Sequence, residues 1–308
     1  MMYYTLDRAG QFYRGNLHTH STISDGEATP AQLRALYERE GYSFIAITDH
    51  RIYGIHEELG DDKFLVMPGV ELDTVYDGVV HHIVGVGAPE TAVFPHGHRF
   101  SHDVCGGVDP QVMIDHLTQN NNIAIYAHPY WSYAEMKDIA HLRNLTGMEI
   151  INFSCEQTWK SGMAEPFYEY FWKYGNRIWC FGSDDAHGHS PDYCGGYITV
   201  KCGELTHDAV LSAIRAGSFY ASYSAGPGQR APEIYDFTVE DGVARITCSP
   251  CRSIYINVSR SIYFPTHGTP ASPVTYAEKK LPAEAAFVKA ICTDFNGRVS
   301  WTQPVALE

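Results

Sequence analysis

Histidine and carboxylate residues recur in this 308-residue chain where short apolar runs begin or end. His18 and His20 flank Thr19 in NLHTH, and Asp25 follows within a short loop. Asp49-His50 closes FIAIT, Glu71 closes VMPGVE, and His81-His82 opens HHIVGVG. His128 closes IAIYA, while Asp185 and His187 follow the run IWCFG. In an extended segment residues two apart point to the same side, so the rings of His18 and His20 can reach one ion. Imidazole and carboxylate donors suit zinc, manganese or iron, and the lack of thiolate at these positions argues for an open catalytic site over a structural zinc knot. One tetrahedral ion needs about four ligands; nine or ten candidates exceed that, so more than one ion is expected. Ions about 3.5–4 Å apart can clamp the attacking and leaving oxygens of a phosphoryl displacement and lower the pKa of bound water, which makes phosphoester hydrolysis the expected chemistry. A single strand-end histidine is commonly structural. The joint placement of many carries the inference.

The elements that must position these groups are well punctuated. Thr29 can cap a helix, Pro30 suits its first position, Gln32 completes a capping box and Gly41 supplies the stop before a short buried strand over 43–48. The same grammar predicts a helix from Asp109-Pro110 leading to a strand at 123–127, a helix over 163–174 leading to a strand at 177–181, and a helix over 206–216. Repeated alternation of this kind predicts a mostly parallel sheet with helical cover, open or closed into a barrel. From about Glu233 onward, strand-like runs such as ARITCS and SIYINV, split by DG, SP and NG pairs, read as an all-β tail.

Composition narrows the partners. Twenty-two basic against thirty-six acidic residues give a net charge of -14, which disfavours duplex nucleic acid, although cations held in a cleft reverse the local sign. No apolar run is long enough for a membrane span, and the eight scattered cysteines fit a reduced cytoplasmic setting. Cys248 and Cys251 form a CxxC among strand-like residues, with no second CxxC, and read as incidental thiols. His56, His116, His141 and His207 lack acidic partners at strand ends and are expected at the surface; His96, His98 and His102 crowd a loop expected to be solvated.

The segments GNLHTHSTISDG, AITDH, PGVE, HHIVGVG, AHPYW and GSDDAHGH, in that order, make residues 14–220 resemble the PHP superfamily, the polymerase and histidinol phosphatase metal-dependent phosphoesterases. SFYASYSAGP followed by a β tail resembles the stand-alone subgroup with a C-terminal sandwich-like domain. The resemblance implies an α/β chain with a distorted (β/α)7 PHP barrel over residues 1–224 and a smaller all-β sandwich-like domain over 225–308. It implies three divalent ions, zinc, manganese or iron, in the barrel mouth. His18, His20, Glu71 and Asp185 would hold the first, Glu71 would bridge to a second completed by His82 and His128, and Asp25, His50 and His187 would hold the third. His82 is preferred to His81 and Asp185 to Asp184 on the family pattern, with Asp184 left to orient a ligand. The implied activity is hydrolysis of small phosphorylated substrates, phosphomonoesters, nucleotides or oligonucleotide ends, by metal-activated hydroxide. Arg51 would grip phosphate, His189 would donate a proton, and Tyr130 and Trp131 would wall the pocket or stack a base. Carbamate or amide hydrolysis on the same ligands is the alternative, and a non-catalytic binding module is a third reading.

Overall fold

A computed structural model describes residues 2–4, 6–7, 9–188, 191–259 and 262–307. The first half of the chain holds β1 (Met2–Tyr4), β2 (Gln11–Asn16), α1 (Pro30–Arg39), β3 (Phe44–Ala46), β4 (Ile52–Tyr53), β5 (Leu65–Met67), β6 (Gly69–Tyr76), β7 (Val79–Val86) and β8 (His98–Arg99). Next come α2 (Pro110–Gln119), β9 (Ile123–Tyr126), α3 (Met136–Ile139), β10 (Gly147–Asn152), α4 (Phe153–Trp159), α5 (Glu165–Lys173) and β11 (Trp179–Ser183). They are followed by β12 (Gly196–Cys202), α6 (His207–Arg215) and β13 (Phe219–Tyr223). The remainder is all strand: β14 (Ile234–Glu240), β15 (Val243–Cys251), β16 (Ser253–Ser259), β17 (Ile262–His267), β18 (Val274–Lys280), β19 (Phe287–Thr293), β20 (Val299–Thr302) and β21 (Val305–Ala306).

Local chemistry accounts for the helix starts. The Thr29 hydroxyl accepts from the Gln32 N–H while the Gln32 side chain accepts from the Thr29 N–H, closing the expected capping box of α1. Asp109 caps α2 through the Gln111 N–H, and Thr206 caps α6 through the Ala209 N–H. The buried face of α2, Met113, Ile114 and Leu117, packs in one core cluster with Val70 and Ile83 of β6 and β7. That burial of apolar surface, more than helix propensity, holds such a short helix.

Pairing departs from the mostly parallel sheet that the alternation predicts. Strands β2, β3 and β5 run parallel, as do β9, β10 and β11, but β6 pairs antiparallel with β7, and β7 antiparallel with β9. The cause is the two-residue connection Asp77-Gly78, with φ of 48° and 81°, which is the backbone of a tight hairpin. Among the described residues no continuous ladder closes a sheet on itself. Of the four sheets among the described residues, a five-stranded one has the order β11-β10-β9-β7-β6, and a second, ten-stranded one carries β2, β3 and β5 at one end. Two isolated parallel bridges, Thr19–Ala186 and His50–Glu71, join them.

The second sheet continues through β12 and β13 into β20, β19, β16 and β17, so the tail strands share hydrogen bonds with the first part of the chain. The Gln303 side chain adds a link, accepting from the Cys180 N–H and donating to the Cys180 carbonyl, both at 2.9 Å. The tail also has its own core, in which Phe237, Ile246, Ile254 and Val288 meet. No helix of the described residues is long and apolar enough to cross a membrane. His56 is buried, 5% exposed, and its ring lies 5.1 Å from that of His96, which corrects the surface placement read from its loop context.

Candidate metal centre

The structure brings all nine strand-end groups into one neighbourhood. His18 and His20 follow β2, and the backbone of this segment is pinned by Asp185 N–H to His18 carbonyl and His20 N–H to Ala186 carbonyl bonds, each 2.9 Å. Glu71 projects from β6, fully buried, at the centre. Its carboxylate lies 3.2 Å from His18 Nε2, 3.2 Å from His20 Nε2, 3.1 Å from His50 Nδ1, 2.8 Å from His82 Nδ1 and 3.4 Å from His128 Nε2. Asp185 Oδ1 approaches His18 Nε2 at 3.1 Å and His20 Nε2 at 3.0 Å. Asp25 stands at the open side, 3.5 Å from His20, 3.5 Å from His50 and 3.6 Å from His187.

Three ligand-like groups can be drawn from these contacts: His18, His20, Glu71 and Asp185; His50, Glu71 and His82; and His20, Asp25, His50 and His187. The first coincides with the set drawn from the sequence. The other two share His50 and His20 more widely than expected, and His128 joins through Glu71 and, at 3.8 Å, Asp185.

The donor set fits cations. Glu71 Oε2 and His50 Nδ1, though 3.1 Å apart, are buried and not aligned for a hydrogen bond, and His20 Nδ1 likewise has no aligned partner; a buried polar atom left so is costly. Two members, His128 with φ 28° and Asp185 with φ 56°, hold left-handed backbone that non-glycine residues avoid, at a cost of about 1–3 kcal/mol each. Such conformations persist where surrounding structure enforces them, and they concentrate at working sites.

Burial opposes ionisation of Glu71 and Asp185, yet neighbouring histidines hold both carboxyls well below the usual range. Burial likewise works against charge on His18, His20 and His50, but the surrounding carboxylates raise all three. For His187, burial is outweighed by Asp25 and Asp185, which raise it to about 9. With its pKa raised to about 9, His187 holds a proton at pH 7 that it must lose to bind a metal. Adding manganese or zinc to chelator-treated protein in weak buffer at pH 7 is therefore expected to acidify the solution, as read by an indicator dye; no proton release would mean that the metal displaces no proton from His187.

A ring of further groups fixes the site. Glu149, buried in β10, meets His18 Nδ1 at 2.7 Å, accepts from the His128 N–H and Asn152 Nδ2 at 2.9 Å each, and accepts from the Ser183 hydroxyl. Asp49 takes the N–H and hydroxyl of both Ser21 and Ser24, shaping the loop that presents Asp25. Asp184 faces away from the cluster, accepting from Tyr37 Oη and the N–H groups of Cys194, Gly195 and Gly196. Burial pushes its carboxyl up to about 7 against these donors.

A cavity of about 350 Å³ opens over the cluster, walled by Trp131, Trp159, Thr158, Cys155 and Ser154. Trp131 packs edge-on against His82 and His128 and meets Trp159 at 5.9 Å between ring centroids.

The same architecture occurs in a solved protein. A two-domain protein from Bacteroides vulgatus, described as containing a predicted PHP-like metal-dependent phosphoesterase, aligns over 97% of this chain and 96% of its own with a TM-score of 0.52 and 14% identity. The chain has a PHP-like fold. An amidohydrolase from Chromobacterium violaceum with bound sulfate aligns over 58% of this chain and 89% of its own, with 15% identity and a TM-score of 0.44. No family model matches the chain. Among curated proteins, the 5'-3' exoribonuclease Rnm of Salmonella typhimurium is 40% identical over 79 residues, a stretch that spans 23% of this chain and only 26% of that protein.

On this PHP-like scaffold the remaining expected residues fall as follows. His82 faces Glu71, whereas His81 faces the opposite way and meets Tyr126 Oη at 2.6 Å. The Arg51 guanidinium forks onto Asp73, at 2.6 Å through Nε and 2.5 Å through Nη2, and does not line the cavity. Trp131 lines it; Tyr130 does not and is 46% exposed. His189 lies outside the described residues.

Proposed function

We propose that this chain is a metal-dependent phosphoesterase of the PHP kind that hydrolyses small phosphorylated molecules, nucleotides or oligonucleotide ends among them. The observation that carries this reading is the crowding of five imidazoles within 3.4 Å of one buried carboxylate, that of Glu71, with buried donor atoms left without aligned partners. We assign His18, His20, Glu71 and Asp185 to a first divalent ion, Glu71, His82 and His128 to a second, and Asp25, His50 and His187 to a third; zinc, manganese and iron all suit such donors. When bound, such ions lower the pKa of water and neutralise charge on phosphoryl oxygens.

The chain's own groups supply the rest. Glu149 fixes the tautomer and orientation of His18 by taking its Nδ1–H. Trp131 and Trp159 offer an aromatic wall on which a base can stack. His189 is assigned as proton donor to the leaving oxygen, and Arg51 as a phosphate contact that must first exchange Asp73 for substrate. We read the two bridged sheets as a distorted seven-stranded (β/α) ring, residues 1–224 as the hydrolase domain, and residues 225–308 as a sandwich-like domain. Eight free, buried cysteines support a reducing, cytoplasmic setting.

A panel of phosphate esters, nucleotides, short single-stranded oligonucleotides and aryl carbamates, given to protein loaded with manganese or zinc, tests the reading. Phosphate release is expected. Turnover of carbamates with silent phosphates would replace it with the amide-type chemistry, and silence throughout in metal-loaded protein would favour a binding module.

A further inference from the structure

The CxxC that the sequence leaves idle acquires a third member in space. Cys248 and Cys251 lie on β15, and Cys292 comes from β19, forty-one residues later. All three side chains are 0–2% exposed, and their sulfurs lie within 4.8 Å of one another. The local backbone is bent to achieve this. Residues three apart on a regular strand face opposite sides, yet Cys248 and Cys251 both point into the tail's core, because the pairing of β15 with β18 shifts register between Thr247 and Cys251. Bulges of this kind re-aim side chains.

From this geometry we infer that Cys248, Cys251 and Cys292 form a second, thiolate site for a thiophilic divalent ion such as zinc, separate from the imidazole and carboxylate centre. With zinc–sulfur bonds of about 2.3 Å, two sulfurs on one tetrahedral ion sit about 3.8 Å apart. Cys248 Sγ and Cys251 Sγ are 3.8 Å apart. Two thiols in contact would be ordinary packing; a third arriving from another strand makes the face of a coordination polyhedron. Binding releases the three thiol protons to solvent, leaving one net negative charge on the ion with its three sulfurs. Such a site ties β15 to β19 and so braces the tail, as structural zinc sites do.

Anaerobic addition of cobalt(II) to chelator-treated full-length protein tests this. With cobalt in excess of all sites, a thiolate-to-cobalt charge-transfer band is expected, its limiting intensity that of one thiolate-bound ion per chain; imidazole and carboxylate ligands give none. The band disappears in Cys248→Ser and Cys292→Ser, and persists in Cys105→Ser and in Asp25→Ala. Zinc content falls by one ion per chain in the two cluster variants. If those variants do not fold, zinc-edge X-ray absorption of the unaltered protein decides, through a sulfur shell at about 2.3 Å. Cobalt loading without a charge-transfer band, or zinc with only nitrogen and oxygen neighbours, overturns the thiolate site and leaves the phosphoesterase reading untouched.

Discussion

On the phosphoesterase reading, alanine in place of Asp25 or His187 is expected to lower kcat/KM for a phosphate ester by roughly a hundredfold or more, about 3 kcal/mol of lost transition-state stabilisation, while the protein keeps a single cooperative unfolding transition. Both residues stand at the open side of the cluster; the Asp25 side chain is 51% exposed and that of His187 20%. Removing either leaves no hole in an apolar core. What disappears with Asp25 is the charge that draws His20, His50 and His187 together, at 3.5, 3.5 and 3.6 Å, and with His187 one of the three imidazoles so held. Thermal unfolding followed by circular dichroism, run beside the kinetic assay, separates the two effects. Unchanged activity in either variant would remove the outer group of ligands from the mechanism.

Asp184→Ala acts the other way, on the fold. The Asp184 carboxylate is fully buried and satisfies Tyr37 Oη at 2.8 Å and the N–H groups of Cys194, Gly195 and Gly196 at 2.7, 2.8 and 2.8 Å. Alanine leaves four buried donors without an acceptor, at about 1–3 kcal/mol each before any water enters. A net loss on the order of 4 kcal/mol is expected, a large share of the roughly 5–15 kcal/mol that holds a typical domain together. The urea midpoint reads it directly, and Asp184→Asn, which keeps one acceptor oxygen, falls between. A midpoint unchanged in the alanine variant would mean that the 194–196 turn does not depend on this carboxylate.

The metal cluster was legible because its residues obey local rules. His18 and His20 share a side as alternate residues of an extended segment must, and His81 and His82 part company for the same reason. Helix α1 was legible because its capping box is local chemistry. Less visible was Glu149, whose signal is a lone acid inside the buried strand GMEIIN. Trp159 was missed because α4 begins directly after β10 and its seven residues are too short to show a period. The antiparallel β6–β7 pair carries a DG turn signal, which helix–strand alternation around it overshadowed. Arg51 illustrates a harder limit: its partner Asp73 lies twenty-two residues away, and only the fold brings them together.

Strand β20 hydrogen-bonds to β13 from Tyr220↔Thr302 to Tyr223↔Val299, and that seam gives the tail a duty beyond decoration. A recombinant fragment ending near residue 224 would expose the bare amides and carbonyls of β13, the kind of raw border on which polypeptides stick to one another. Proteolytic trimming to that point is therefore expected to yield precipitate in place of a minimal enzyme.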